Sequence, residues 1–154
     1  MKVLAVRPEL CTACRLCEQT CAEAFFKVID RDKSAIQVTV LAALEKDAVV
    51  EFCSQCGECI AICPTQALYR AKNGIVRLRK QDCTGCMACV GFCPTLTMYV
   101  APNDVVPFKC LACGKCVDFC PTDALYMTEA EIPPEVTEVT RSIRLKTGEG
   151  SHGH

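Results

Sequence analysis

The pattern C-x2-C-x2-C-x3-C occurs four times in this chain, and the four copies use every cysteine it has. The sets are Cys11, Cys14, Cys17 and Cys21; Cys53, Cys56, Cys59 and Cys63; Cys83, Cys86, Cys89 and Cys93; and Cys110, Cys113, Cys116 and Cys120. Three copies continue alike, as CPTQALY, CPTLTMY and CPTDALY, so the chain repeats one unit. The first copy departs from the others, because Ala22 follows Cys21 where they have proline. With 16 cysteines in 154 residues and no Trp, an ordinary apolar core is thin, and whatever the thiols hold contributes much of the stability.

The spacing selects the chemistry. Three cysteines at steps of three fit a tight loop around one face of an iron–sulfur cube. The fourth, leading through proline into a short helix, reaches a neighbouring cluster. Thiolate is the soft ligand that such iron prefers. Sixteen thiolates then hold four [4Fe–4S] clusters, with four cysteines each and no open position. Structural zinc uses two C-x2-C pairs across a longer loop, which leaves the third cysteine of each set without a role. A disulfide scaffold needs export, and MKVLAVRPEL has neither the apolar stretch nor the cleavage site of a signal peptide. The apolar run 35–44, AIQVTVLAAL, is too short to span a bilayer. The chain therefore reads as cytoplasmic, where thiols stay reduced, and without membrane insertion. Its formal charge of −1 gives no basic field for nucleic acid. It has no nucleotide-binding glycine loop, flavin fingerprint, nucleophile elbow or paired acids, and it reads as non-catalytic.

The segments between the sets limit how they share clusters. The stretch 64–82 reads as a hairpin, with ALYRAK leaving a helix for a strand, a turn at Asn73-Gly74 and IVRLRK returning. That makes the second and third sets one two-cluster unit and leaves the first and fourth for another. The longer 22–52 segment, with strands AIQVTVLAAL and AVVEF around EKD, joins the two. First with second and third with fourth is the simpler order along the chain and stays open on these grounds.

The opening CTACRLCEQTCA, whose fourth cysteine lacks proline, and the stretch VVPFKCLACGKCVDFCPTDALYM resemble a known class over residues 2–127. This is the class of four-cluster, polyferredoxin-like subunits that accompany tungsten aldehyde oxidoreductases, formate dehydrogenases, hydrogenases and carbon monoxide dehydrogenases. The second set, CSQCGECIAIC, is more compact than in many such subunits, which sets the chain apart from the membrane-anchored molybdenum-enzyme members. The resemblance implies an α+β fold of two ferredoxin-like two-cluster modules, built from short helices and hairpins with little regular secondary structure. It implies that Cys11, Cys14 and Cys17 join Cys120, and that Cys110, Cys113 and Cys116 join Cys21. It implies likewise that Cys53, Cys56 and Cys59 join Cys93, and that Cys83, Cys86 and Cys89 join Cys63. The inner module would then span about 50–100 and the outer one 1–30 plus 101–127, within a four-cluster domain of 1–127.

The resemblance also implies the role, an electron-transfer subunit between a catalytic oxidoreductase subunit and an external acceptor. A tungsten aldehyde oxidoreductase is the favoured partner, with a flavin subunit or ferredoxin as redox partner. The rival readings are a free soluble shuttle, an iron–sulfur sensor, and a connector that self-associates into a filament. The apolar residues before the fourth cysteines, Ile62, Phe92 and Phe119, read as shields against water. Each filled site is a net anion of about −2, so the holo chain carries about −9. Arg15, Lys80, Lys109 and Lys115 are the cations in or beside the motifs that can offset this. Residues 128–154, with Pro133-Pro134 and the weakly alternating VTRSIRL, read as a docking arm or a frayed end, and His152 and His154 as non-ligands.

Overall fold

Each cysteine loop curls through the left-handed region at the same two places. The third residue of each motif, Ala13, Gln55, Gly85 or Ala112, has φ of 54, 63, 69 or 49°. The fifth, Arg15, Gly57, Met87 or Gly114, has φ of 61, 93, 60 or 80°. A non-glycine residue there carries strain of about 1–3 kcal/mol. The strain turns the backbone around a centre, so that three side chains at steps of three face inward.

The computed structural model describes residues 1–40 and 48–133. In chain order the elements are β1 (Lys2–Val6), α1 (Leu16–Phe26), β2 (Ile36–Val40), β3 (Ala48–Phe52), α2 (Glu58–Ile62), β4 (Leu68–Arg70) and β5 (Val76–Leu78). There follow α3 (Ala88–Gly91), β6 (Tyr99–Val100), β7 (Pro107–Phe108), α4 (Lys115–Asp118) and β8 (Leu125–Glu129). The strands form four two-stranded antiparallel sheets, β1 with β8, β2 with β3, β4 with β5 and β6 with β7. The result is a small ferredoxin-like α+β fold of short helices and hairpins.

The 64–82 hairpin is present, with Leu68 opposite Leu78. AVVEF is β3, and the part of AIQVTVLAAL that is described is β2; Leu41 to Asp47, including the expected EKD turn, lie outside the described residues. The helices do not follow the Cys-Pro pairs as expected. Each begins one residue before the third cysteine of its set and contains it; α2, α3 and α4 end before the fourth, and after Cys63, Cys93 and Cys120 the chain makes a turn. Proline fixes φ and cannot donate, which suits a turn as well as a helix start. Gln66, Leu96 and Asp123 close these turns at φ of 54, 53 and 52°.

Two sheets have matching anchors although one is local and the other joins the chain's ends. Arg79 donates its N–H to Ala67 O at 2.9 Å beside β4 and β5, and its guanidinium lies over the Tyr69 ring. Arg7 donates to Ala124 O at 2.7 Å beside β1 and β8, and lies over the Tyr126 ring. The approach to the third set thus repeats in the approach to the first, and the exit of the second in the exit of the fourth. Strand β8 continues to Glu129, past the expected domain edge at 127. The apolar residues gather in two cores, one around Leu4, Ile36 and Leu125 with Cys21, Cys110 and Cys116, the other around Leu68, Val76 and Met98 with Cys59 and Cys89. Helix α1 packs on α4, and α2 on α3.

Candidate metal centres

Two cavities are each lined by four cysteines drawn from two motifs. Cys11, Cys14 and Cys17 meet Cys120 around one, closed by Val38 and Leu125. Cys110, Cys113 and Cys116 meet Cys21 around the other, closed by Leu4 and Ile36. In the second core Cys63 and Cys93 pack beside Cys59 and Cys89. Among the described residues no three His, Cys, Asp or Glu side chains converge on a single-ion site. The sulfurs surround volumes, and this donor set suits a cluster of several irons.

The thiols divide into two electrostatic kinds. Burial pushes Cys17, Cys59 and Cys116 up to about 12, and Cys89 and Cys110 to about 11. Neighbouring sulfurs add to this. Cys116 feels Cys110, Cys21, Cys17 and Cys113, and Cys89 feels Cys63, Cys83 and Cys86. Thiolates crowded in such a setting are stable only against a cationic core, which iron provides. At Cys63, Cys93 and Cys120 burial also raises the pKa, but backbone N–H groups and a threonine hydroxyl outweigh it and lower each one. The hydroxyls are Thr65, Thr95 and Thr122, at 3.7, 3.6 and 3.8 Å from the sulfur.

Cys21 is held differently. It lies inside the 11-residue α1, and Ala22 is fully buried in the next position. Proline there would break the helix. A donor like those the Cys-Pro-Thr turn supplies elsewhere comes from a distant segment, with Ala35 N–H at 3.4 Å, and the Ser34 side chain packs beside the sulfur while donating to Ile36 O. Burial still dominates, and the Cys21 thiol is raised. Glu18, one turn earlier on α1, fixes that segment by accepting from Val38 N–H at 2.7 Å.

Of the expected shields, Ile62 is half-buried against the second core, but Phe92 and Phe119 are each 64 % exposed. Helices α3 and α4 are one turn long, so the residue at each helix end turns outward while the cysteine after it turns in. Of the expected cations, Lys80 and Lys115 are exposed, Arg15 is half-buried and Lys109 is buried. The sequence reading passed over Gln55 and Arg70. Gln55 is fully buried, and its side chain bridges motifs. Arg70 donates to Gln55 O and Cys56 O at 3.0 Å each and to Gly74 O at 2.8 Å, clamping the second loop. A signal for Gln55 was there, since the other motifs place Ala or Gly at the same position.

Family models agree with this donor set. Residues 52–97 and 75–121 each match a 4Fe-4S dicluster domain, and residues 8–24 match a 4Fe-4S binding domain. The chain carries multiple [4Fe–4S] clusters. Electron transfer is the role that dicluster domains indicate. The two dicluster matches overlap at the third set, so their bounds do not by themselves pair the sets. Among solved structures the chain is similar to a chain of the active site complex BamBC of benzoyl-coenzyme A reductase in complex with zinc. The identity is 19 %, over 100 % of this chain and 93 % of that one, with a TM-score of 0.48. For the same complex with 1,5-dienoyl-CoA the values are 22 %, 98 %, 92 % and 0.49. No curated protein matches the chain. Among the described residues no helix is long and apolar enough to cross a membrane.

Proposed function

We propose that the chain is a non-catalytic electron-transfer subunit with four [4Fe–4S] clusters in two modules. The outer module would hold one cluster by Cys11, Cys14, Cys17 and Cys120 and one by Cys110, Cys113, Cys116 and Cys21. The inner would hold one by Cys53, Cys56, Cys59 and Cys93 and one by Cys83, Cys86, Cys89 and Cys63. The observation that carries this reading is the lining of the two cavities by those first two sets. The pairing of α1 with α4 and of α2 with α3 supports the same division.

Single-electron transfer is the chemistry such clusters supply when bound. The chain's own residues would set its direction and rate. Backbone amides and Thr65, Thr95 and Thr122 donate toward the fourth cysteines and favour the more negative, reduced state. Leu4, Ile36, Leu68 and Val76 keep water from the sulfurs. With four cysteines at every site no position is left for substrate, so a separate oxidoreductase subunit would hold the substrate. By the sequence resemblance that subunit is a tungsten aldehyde oxidoreductase.

The deciding experiment is anaerobic purification from the native cell. We expect about 16 iron and 16 acid-labile sulfide per chain and a co-purifying oxidoreductase subunit. Zinc in place of iron overturns the cluster assignment. A full iron content with the chain running alone overturns the subunit reading in favour of a free shuttle.

A further inference from the structure

Lys109 immediately precedes the first cysteine of the fourth motif, and it is only 4 % exposed. Its ammonium donates to Gln55 Oε1 at 2.8 Å and to Cys110 O at 3.1 Å. Neither partner is charged, and no ion pair among the described residues includes Lys109. A buried cation is costly unless a counter-charge stands close by.

Gln55 carries that ammonium to the second motif. Its Oε1 also accepts from Val76 N–H at 3.1 Å, and its Nε2 donates to Cys110 O at 2.8 Å. Its own backbone N–H lies 3.4 Å from Cys53 Sγ. One fully buried side chain therefore fixes the ammonium between the loop that begins at Cys53 and the loop that begins at Cys110. The ammonium thus stands against both loops, through Gln55 on the second and through the Cys110 carbonyl on the fourth. The positions equivalent to Lys109 are Leu10, Phe52 and Asp82, so no other loop has a cation there.

We infer that Lys109 is a shared counter-cation for two clusters, those of the second and fourth motifs, and that it raises both potentials above those of the first and third. The inference rests on the cluster assignment proposed above. A positive charge favours the reduced cluster, which is more negative than the oxidised one. The fixed ammonium acts on one cluster from each module, so it makes those two clusters the resting place of electrons that enter the chain. Gln55 is the positioning residue, since it touches the ammonium and not the reacting electrons.

The test is a redox titration of the holo protein, followed by electron paramagnetic resonance, for the native chain and for Lys109→Met, Lys109→Arg and Gln55→Glu. Lys109→Met should lower two of the four midpoint potentials and leave two in place at unchanged iron content. Lys109→Arg should restore most of the loss. If Lys109→Met fails to load iron, Gln55→Glu carries the test, because it keeps the volume and the lysine while cancelling the charge, and it should lower the same two. Unmoved potentials in a fully loaded Lys109→Met protein overturn the inference, as does a shift that Lys109→Arg does not reverse. A shift confined to one cluster overturns the sharing. A native iron content other than four clusters, or Cys21 found on the cluster of Cys53, overturns the assignment beneath it instead.

Discussion

The backbone N–H of Ala35 lies 3.4 Å from the sulfur of Cys21, fourteen residues earlier. This contact explains the missing proline. In the other sets the Cys-Pro-Thr turn folds back to put its own N–H and hydroxyl groups on the fourth sulfur. In the first set α1 runs on through Cys21 to Phe26, so no turn forms, and the 34–36 segment does the same work from outside. Ser34 is held for this by its own local bonds, donating to Ile36 O at 2.6 Å and accepting from Ile36 N–H at 3.2 Å.

Ala22→Pro should therefore be among the most damaging single changes in the chain. Proline in a helix interior costs about 3 kcal/mol through the lost N–H and the clash with the carbonyl four residues back. Here that carbonyl belongs to Glu18, whose carboxylate anchors Val38. Ala22 has no exposed surface through which a ring could escape. The expected outcome is a lower urea midpoint and about one cluster fewer by iron analysis. Pro64→Ala, at a turn that keeps its other donors, should retain the iron.

Three glycine substitutions should separate strain from collision. At Gly57, with φ of 93°, a methyl group would meet the guanidinium of Arg70, which clamps the second loop. At Gly114, with φ of 80°, the nearest atoms are those of Met127 at 3.8 Å. Gly114→Ala should cost only the left-handed strain, about 1–2 kcal/mol. Gly57→Ala should cost more than that and also disturb the second-motif cluster's signal. Gly91 lies in α3 with nothing within 4 Å, and Gly91→Ala should stabilise by roughly 0.5–1 kcal/mol. Urea unfolding of the three holo variants gives the order, and a Gly114→Ala as damaging as Gly57→Ala would show that the Arg70 contact is unimportant.

Cys21→Ser tests which sets share a cluster. It should perturb the signal of the cluster held mainly by Cys110, Cys113 and Cys116. The cluster held by Cys53, Cys56 and Cys59 should keep its spectrum. Mössbauer spectra of iron-57-loaded protein distinguish the two, and a change confined to the second-motif cluster would mean sequential pairing.

The repeated motif made the cysteine sites legible because ligand spacing is a local property, enforced by the same two left-handed residues in each loop. The 64–82 hairpin was legible for the same reason, with Asn73-Gly74 marking its turn. The sheet joining β1 to β8 was not, since Val6 and Leu125 pair across almost the whole chain and no local signal marks long-range closure. Phe92 and Phe119 misled because hydrophobic character says nothing about which way a one-turn helix points. Gln55 was missed because a glutamine in a loop normally faces water, and its burial follows only from where Lys109 and Cys110 arrive in space.

The threonines after the Cys-Pro pairs give a smaller, graded prediction. A hydroxyl 3.6 to 3.8 Å from sulfur is a weak donor, on the order of 0.5 kcal/mol. With 59 mV for each tenfold change in a one-electron couple, its loss should lower a cluster potential by roughly 20 mV. Thr65→Val should show this shift on the cluster that Cys63 serves, and Thr122→Val on the one that Cys120 serves. Thr95 is different, because it shares a 2.8 Å hydrogen bond with the buried Thr97, whose own hydroxyl lies 3.9 Å from Cys93. Thr95→Val removes one donor but frees the other to turn toward the sulfur, so its shift should be the smallest of the three. Redox titration of the single variants and of the Thr95→Val, Thr97→Val double checks this. The double variant should fall by more than the sum of the two single changes if the hydroxyls substitute for each other, and by no more than that sum if they act independently.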